Sequence, residues 1–145
     1  MIRNAIAALA ILAGAFQPEP AAAQSFDPTG NWSCSLGLYE QGLQPYGYEA
    51  ELVVNPDGGL YARGAVYNPN LQNSVQPFEG PGDWIAGPTE NGMWVRLRIH
   101  TRGTHGILVF EGAPTGPGTI YRQSQGQNPG SGAFYTAEMQ CTRMG

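Results

Sequence analysis

Residues 96–106, RLRIHTRGTHG, hold both histidines of the chain and three of its seven arginines. Imidazoles and guanidinia so closely spaced could form an active site, a metal site or the polar tip of a hairpin. Centring a turn on Arg102 and Gly103 pairs His100 with His105, Leu97 with Leu108 and Val95 with Phe110, which puts the apolar pairs on one face. Trp94, Arg96, Arg98 and His100 then face outward. The register of the preceding hairpin sets Glu79 opposite His100. Glu79, His100 and His105 would form one row across three strands, with about 5 Å between successive Cβ atoms. Two imidazoles and a carboxylate match a metal site in ligand type. The row is solvent-facing, however, and no supporting shell is visible. The plainer reading is a solvated hairpin end.

Other constellations of catalytic type are thin. A nucleophilic triad needs Ser or Cys, His and an orienting acid within hydrogen-bond reach, and no Gly-x-Ser-x-Gly element occurs. Glu49 and Glu51 fall on one face of a strand, as they would on any solvated strand, and are not evidence of a glycosidase carboxylate pair. GAPTGPG, 112–118, is a proline-stiffened loop rather than a phosphate cradle. An enzyme of unknown type is the last alternative, and no cofactor is implied.

The elements that must position these residues are strands. Period-two apolar runs separated by turn clusters mark an all-β sandwich or barrel. Strands are expected at 30–39, 47–55, 59–67, 78–86, 92–100, 105–111, 119–123 and 134–143, with loops at 68–77 and 124–133. In NPDG, 55–58, Pro56 suits a type I turn and Gly58 the left-handed position after it. Pairing Asn55 with Gly59 sets Val54 opposite Leu60, Leu52 opposite Ala62, Ala50 opposite Gly64 and Tyr48 opposite Val66. Glu51 then meets Arg63 on the other face. In GPTENG, 87–92, pairing Gly87 with Gly92 sets Trp84 opposite Val95 and Asp83 opposite Arg96. Pro81 cannot donate to a ladder and marks a bulge or an edge.

The first residues read as an export signal: Arg3, the apolar run AIAALAILAGAF, then PEPAAAQ with small residues at a cleavage site. A cut after Ala23 leaves one domain, 24–145, with no membrane span and a periplasmic or secreted location. The full chain has 145 residues, 7 basic and 11 acidic, with no lysine and a net charge of −4. That balance argues against a nucleic-acid partner. Cys34 and Cys141 in an oxidising compartment are expected to form a disulfide, worth about 4–5 kcal/mol for so long a loop.

An up-and-down arrangement of eight strands puts the last beside the first. Cys34, Leu36 and Leu38 then meet Cys141, Met139 and Ala137, and Trp32 meets Arg143. Gly30 and Trp32 near the first strand, with Arg143 after the last, resemble the lipocalin and wider calycin barrels. The resemblance implies that Trp32 closes the barrel floor and Arg143 packs across it. The chain is short for that family, and it lacks the Thr-Asp-Tyr element and the C-terminal helix.

An eight-stranded antiparallel barrel, lipocalin-like and closed by one disulfide, is therefore expected. Such a barrel either fills with side chains or holds one small ligand. Tyr48, Ala50, Ala62, Gly64, Trp84, Leu97 and Phe110 face inward, and the small residues among them could leave an apolar pocket. The primary expectation is a non-enzymatic exported protein with a small apolar ligand inside the barrel. The alternative is a protein-binding module, such as a secreted protease inhibitor, acting through loops 40–46, 68–77 and 112–118. A void interior favours the first and a filled one the second.

Overall fold

The computed structural model describes residues 25–145 apart from Thr104. The expected export signal, 1–23, lies outside the described residues. Eight strands follow one another: β1 (Gly30–Glu40), β2 (Tyr46–Val54), β3 (Gly59–Tyr67), β4 (Val75–Thr89), β5 (Gly92–His100), β6 (Ile107–Gly116), β7 (Thr119–Gln127) and β8 (Phe134–Arg143). Each is antiparallel to the next, and β8 pairs with β1, so the sheet closes into a ring. Alternation drives the closure. In β2, Ala50, Leu52 and Val54 are buried while Glu49, Glu51 and Val53 are exposed. In β5, Val95, Leu97 and Ile99 are buried and Arg96, Arg98 and His100 exposed. Each large apolar side chain taken inside contributes roughly 1.5–3 kcal/mol.

The seam between β1 and β8 has the expected register, with Cys34 opposite Cys141, Leu36 opposite Met139 and Trp32 opposite Arg143. The disulfide Cys34–Cys141 joins the two strands. The β2–β3 hairpin also pairs as expected, from Val54 with Leu60 to Tyr48 with Val66. Its turn is held by the Asn55 amide on the Gly59 carbonyl, and Gly58 takes φ +93°.

Two other hairpins depart from expectation by two residues each. Thr89 pairs with Gly92, so Trp84 faces Leu97 and Asp83 faces Arg98 instead of Arg96. The turn tightens to Glu90 and Asn91 because the Thr89 hydroxyl donates to the Gly92 carbonyl and accepts from the Asn91 amide. His100 pairs with Ile107 instead of His105, and Leu97 pairs with Phe110. The longer turn after His100 is closed by the Thr101 amide and hydroxyl on the Gly106 carbonyl. A slip of two keeps every side chain on its own face, so the apolar pattern tolerates either register.

β4 runs further at both ends than 78–86, and β7 reaches Gln127, which shortens the expected loops to 68–74 and 128–133. The expected loop 112–118 is mostly strand: β6 continues to Gly116, with an irregularity between Pro114 and Gly116. Pro81 lies just where β4 loses its β5 partner, since that ladder begins at Gly82.

The up-and-down order sorts the connections. Segments 41–45, 68–74, 101–106 and 128–133 gather at one end, and the shorter turns 55–58, 90–91 and 117–118 at the other.

Candidate functional site

At the short-turn end Trp32 is fully buried, and its indole N–H donates to the Pro28 carbonyl at 2.7 Å. The Arg143 guanidinium lies 4.4 Å from the centre of that ring and donates to the carbonyls of Asp27, Thr29 and Pro117. Gly30 leaves room for it: a Cβ there would stand 2.9 Å from Arg143 Nη1. The three residues named for a barrel floor thus form one packed unit.

The residues named for an interior pocket meet one another. Ala50, Ala62, Leu97 and Phe110 are buried in the core. The Tyr48 ring packs edge-on to Phe110 at 5.1 Å, and its hydroxyl donates to the Val109 carbonyl at 2.6 Å. Trp84 is half-buried and donates its indole N–H to the Asn55 carbonyl at 2.7 Å. The glycines serve close approach of backbones: a Cβ on Gly64 would lie 1.9 Å from the Glu49 carbonyl, and one on Gly82 would lie 1.8 Å from that of Arg98. Small residues on these strands let the sheet coil tightly around the buried Leu52, Leu97, Ile99 and Phe110, while Leu36, Val66 and Leu108 are only partly buried. Among the described residues no buried side-chain nitrogen or oxygen lacks a partner.

The row expected from Glu79, His100 and His105 does not assemble. The Glu79 carboxylate accepts from the Tyr61 hydroxyl at 2.9 Å and pairs with Arg63 at 3.4 Å. His100 Nε2 stands 3.3 Å from Asp83, whose carboxylate is held in bidentate fashion by Arg98 at 2.7 and 3.0 Å. These hydrogen bonds from Arg98, with a smaller one from His100, hold the Asp83 carboxyl below its ordinary pKa. His105 sits in the turn. Among the described residues no three His, Cys, Asp or Glu side chains are grouped to hold a metal. The two-residue slips are the physical reason.

Two features escaped the sequence reading. Glu40 is a buried acid, 7 % exposed, at the long-loop end of β1. It accepts from Tyr46 Oη at 3.3 Å and from Asn128 Nδ2 at 2.8 Å, which ties β1, β2 and the segment after β7 together. The signal was available: Trp32, Cys34, Leu36, Leu38 and Glu40 alternate on one face.

The second feature is the seam between β6 and β7. Pairing is confined to Ala113–Tyr121, Pro114–Ile120 and Gly116–Thr119. Beyond it, Arg122–Gln127 pair only with β8, and Ile107–Gly112 only with β5. A slot of about 180 Å³ lies between them, over Leu36, Ala137 and Met139. Glu111 bridges its base, 2.9 Å from Arg96 and 2.8 Å from Arg122, whose guanidinium also lies 5.2 Å from the Trp94 ring centre. Burial raises the Glu111 pKa, but the Arg96 hydrogen bond and the two guanidinium charges outweigh it, and the net shift is downward.

The long-loop end is apolar at its rim. Leu43, Leu71, Val75, Ile107 and Phe134 are each between 47 % and 66 % exposed. Compared with protein-family models and with curated proteins, the chain matches none. Among the described residues no helix is long and apolar enough to cross a membrane.

Proposed function

We propose that the chain is an exported, non-enzymatic β-barrel that binds a protein partner through its long-loop end, as a secreted protease inhibitor would. The observation that carries this reading is the contrast between the two ends. One is closed by Trp32 and Arg143 and by short turns, while the other presents four longer segments with exposed Leu43, Leu71 and Phe134. Leu43, Leu71, Val75, Ile107 and Phe134 are exposed at this end, while Val53, Ile85 and Met144 are exposed elsewhere, and an apolar cluster at one end favours a partner surface. The buried cluster around Leu52, Leu97, Ile99 and Phe110, with a cavity of only about 180 Å³ over Leu36 and Met139, supports a surface site over an apolar ligand inside the barrel, because a ligand pocket needs about 300 Å³ or more of open space.

The disulfide is compatible with an oxidising compartment, and the periplasm or the exterior is the location we propose. The lipocalin-like relationship stays a proposal, supported by the ring of eight strands and by the Arg143–Trp32 packing.

The test is a panel of purified exported serine, cysteine and metalloproteases, assayed for stoichiometric complex formation and inhibition. A hit should be lost in the double variant Leu43→Asp, Leu71→Asp. An apolar fluorophore panel run alongside should show no saturable quenching of Trp84 or Trp32. Saturable fluorophore binding with no protease complex would return the function to the barrel interior.

A further inference from the structure

The β6–β7 slot differs in kind from the rim. On the side away from β8, the backbone amides and carbonyls of Arg122–Gln127 have no strand partner. The opposing edge is partly capped, since Tyr48 reaches through the barrel to donate to the Val109 carbonyl. The β7 edge is therefore the open one. Alternating N–H and C=O groups at strand spacing are matched by one kind of ligand, another extended backbone.

The charges narrow the choice. The slot is lined by Val109 and Glu111 of β6 and by Arg122 and Ser124 of β7. At its base two guanidinia, Arg96 and Arg122, share the one carboxylate of Glu111, which leaves a positive charge in excess. The space over Leu36, Ala137 and Met139, about 180 Å³, is smaller than the ~300–1,000 Å³ of a drug-sized ligand site. It suits a short aliphatic side chain projecting from a strand.

We propose that this slot takes an extended polypeptide segment of a protein partner. The segment pairs through its backbone with the free edge of β7, points one small apolar side chain onto Leu36, Ala137 and Met139, and places an acidic residue beside Arg96 and Arg122. The inference goes beyond the rim reading and is tested apart from it, because the slot opens through the barrel wall.

The probe is the fluorescein-labelled hexapeptide Thr-Val-Thr-Val-Thr-Glu, titrated against the full chain by anisotropy with amide hydrogen exchange in parallel. Saturable binding should protect the alternate amides of Arg122–Gln127 that point away from β8. N-methylating alternate residues of the peptide should weaken it about tenfold, since each lost backbone bond removes net stabilisation. Ending the peptide in Gln instead of Glu should weaken it about threefold, as for an exposed ion pair. Ala137→Phe, checked for folding by circular dichroism, should block binding by filling the slot, whereas the rim variant Leu43→Asp, Leu71→Asp should bind as the parent does. Equal binding of the N-methylated peptide would overturn the proposal whether or not Ala137→Phe folds. So would a failure of the peptide to protect the outward-pointing amides of Arg122–Gln127, or their protection in a self-associated dimer before peptide is added.

Discussion

Arg143 and Trp32 face each other across the β1–β8 seam, with the guanidinium 4.4 Å from the ring centre and donating to three carbonyls from two segments. One side chain thereby fastens the chain's first described residues and the turn before β7 to the barrel floor. Arg143→Ala should cost roughly 2 kcal/mol, combining a lost cation–π contact with unpaired carbonyls. Arg143→Lys should recover part of it, because the charge remains over the ring while the fork of donors is lost. Urea denaturation of the three proteins measures this, and equal stability of the parent and the alanine variant would refute it.

The disulfide closes a loop of 107 residues between the first and last strands. Its loss in Cys34→Ala, Cys141→Ala should lower the unfolding free energy by about 4–5 kcal/mol, mostly by freeing the unfolded chain. Intact mass without reductant should show the bridged form. Free thiols in exported protein would contradict it.

The Glu111 carboxyl is held below its ordinary value of 4.5 by Arg96 and Arg122 despite burial. The unfolded chain therefore takes up this proton first on acidification. The stabilisation is complete above pH ~4.5 and drains away as pH falls through the lower folded value. Thermal midpoints measured from pH 7 downward should fall more steeply for the parent than for Glu111→Gln. Parallel curves would show that this group does not contribute.

Glu40 supplies the acceptor for both Tyr46 and Asn128. Glu40→Leu should destabilise by about 1–3 kcal/mol, because both donors lose their partner in a half-buried site. Glu40→Gln retains an acceptor and should lose less. Hydrogen exchange in segment 128–133 should quicken in the leucine variant first, and unchanged exchange there would count against the tie.

Much of the fold was legible in the chain itself. Alternation in YGYEAELVV and GLYARGAVY sorts each residue to one face, and NPDG between them leaves one sensible register. The seam between first and last strands was legible from Cys34 and Cys141, with Trp32 and Arg143 as a second marker in the same register. The hairpins on either side of β5 were legible only as to face. Thr89, Glu90 and Asn91 form a tighter turn than the glycines at 87 and 92 suggest, and the side chain of Thr89 makes it.

What the sequence determined by itself is therefore which side of the wall each residue occupies, because side chains alternate with a period of two. What the tertiary structure decided is which residue stands opposite which. A slip of two residues moves a strand by about 7 Å and leaves the inside and outside unchanged, so apolar patterning cannot tell one register from the other. That slip took Glu79 from His100 and gave Asp83 to Arg98. The sequence likewise left open how far β6 and β7 stay paired: their ladder, irregular between Pro114 and Gly116, stops at Ala113 and Tyr121.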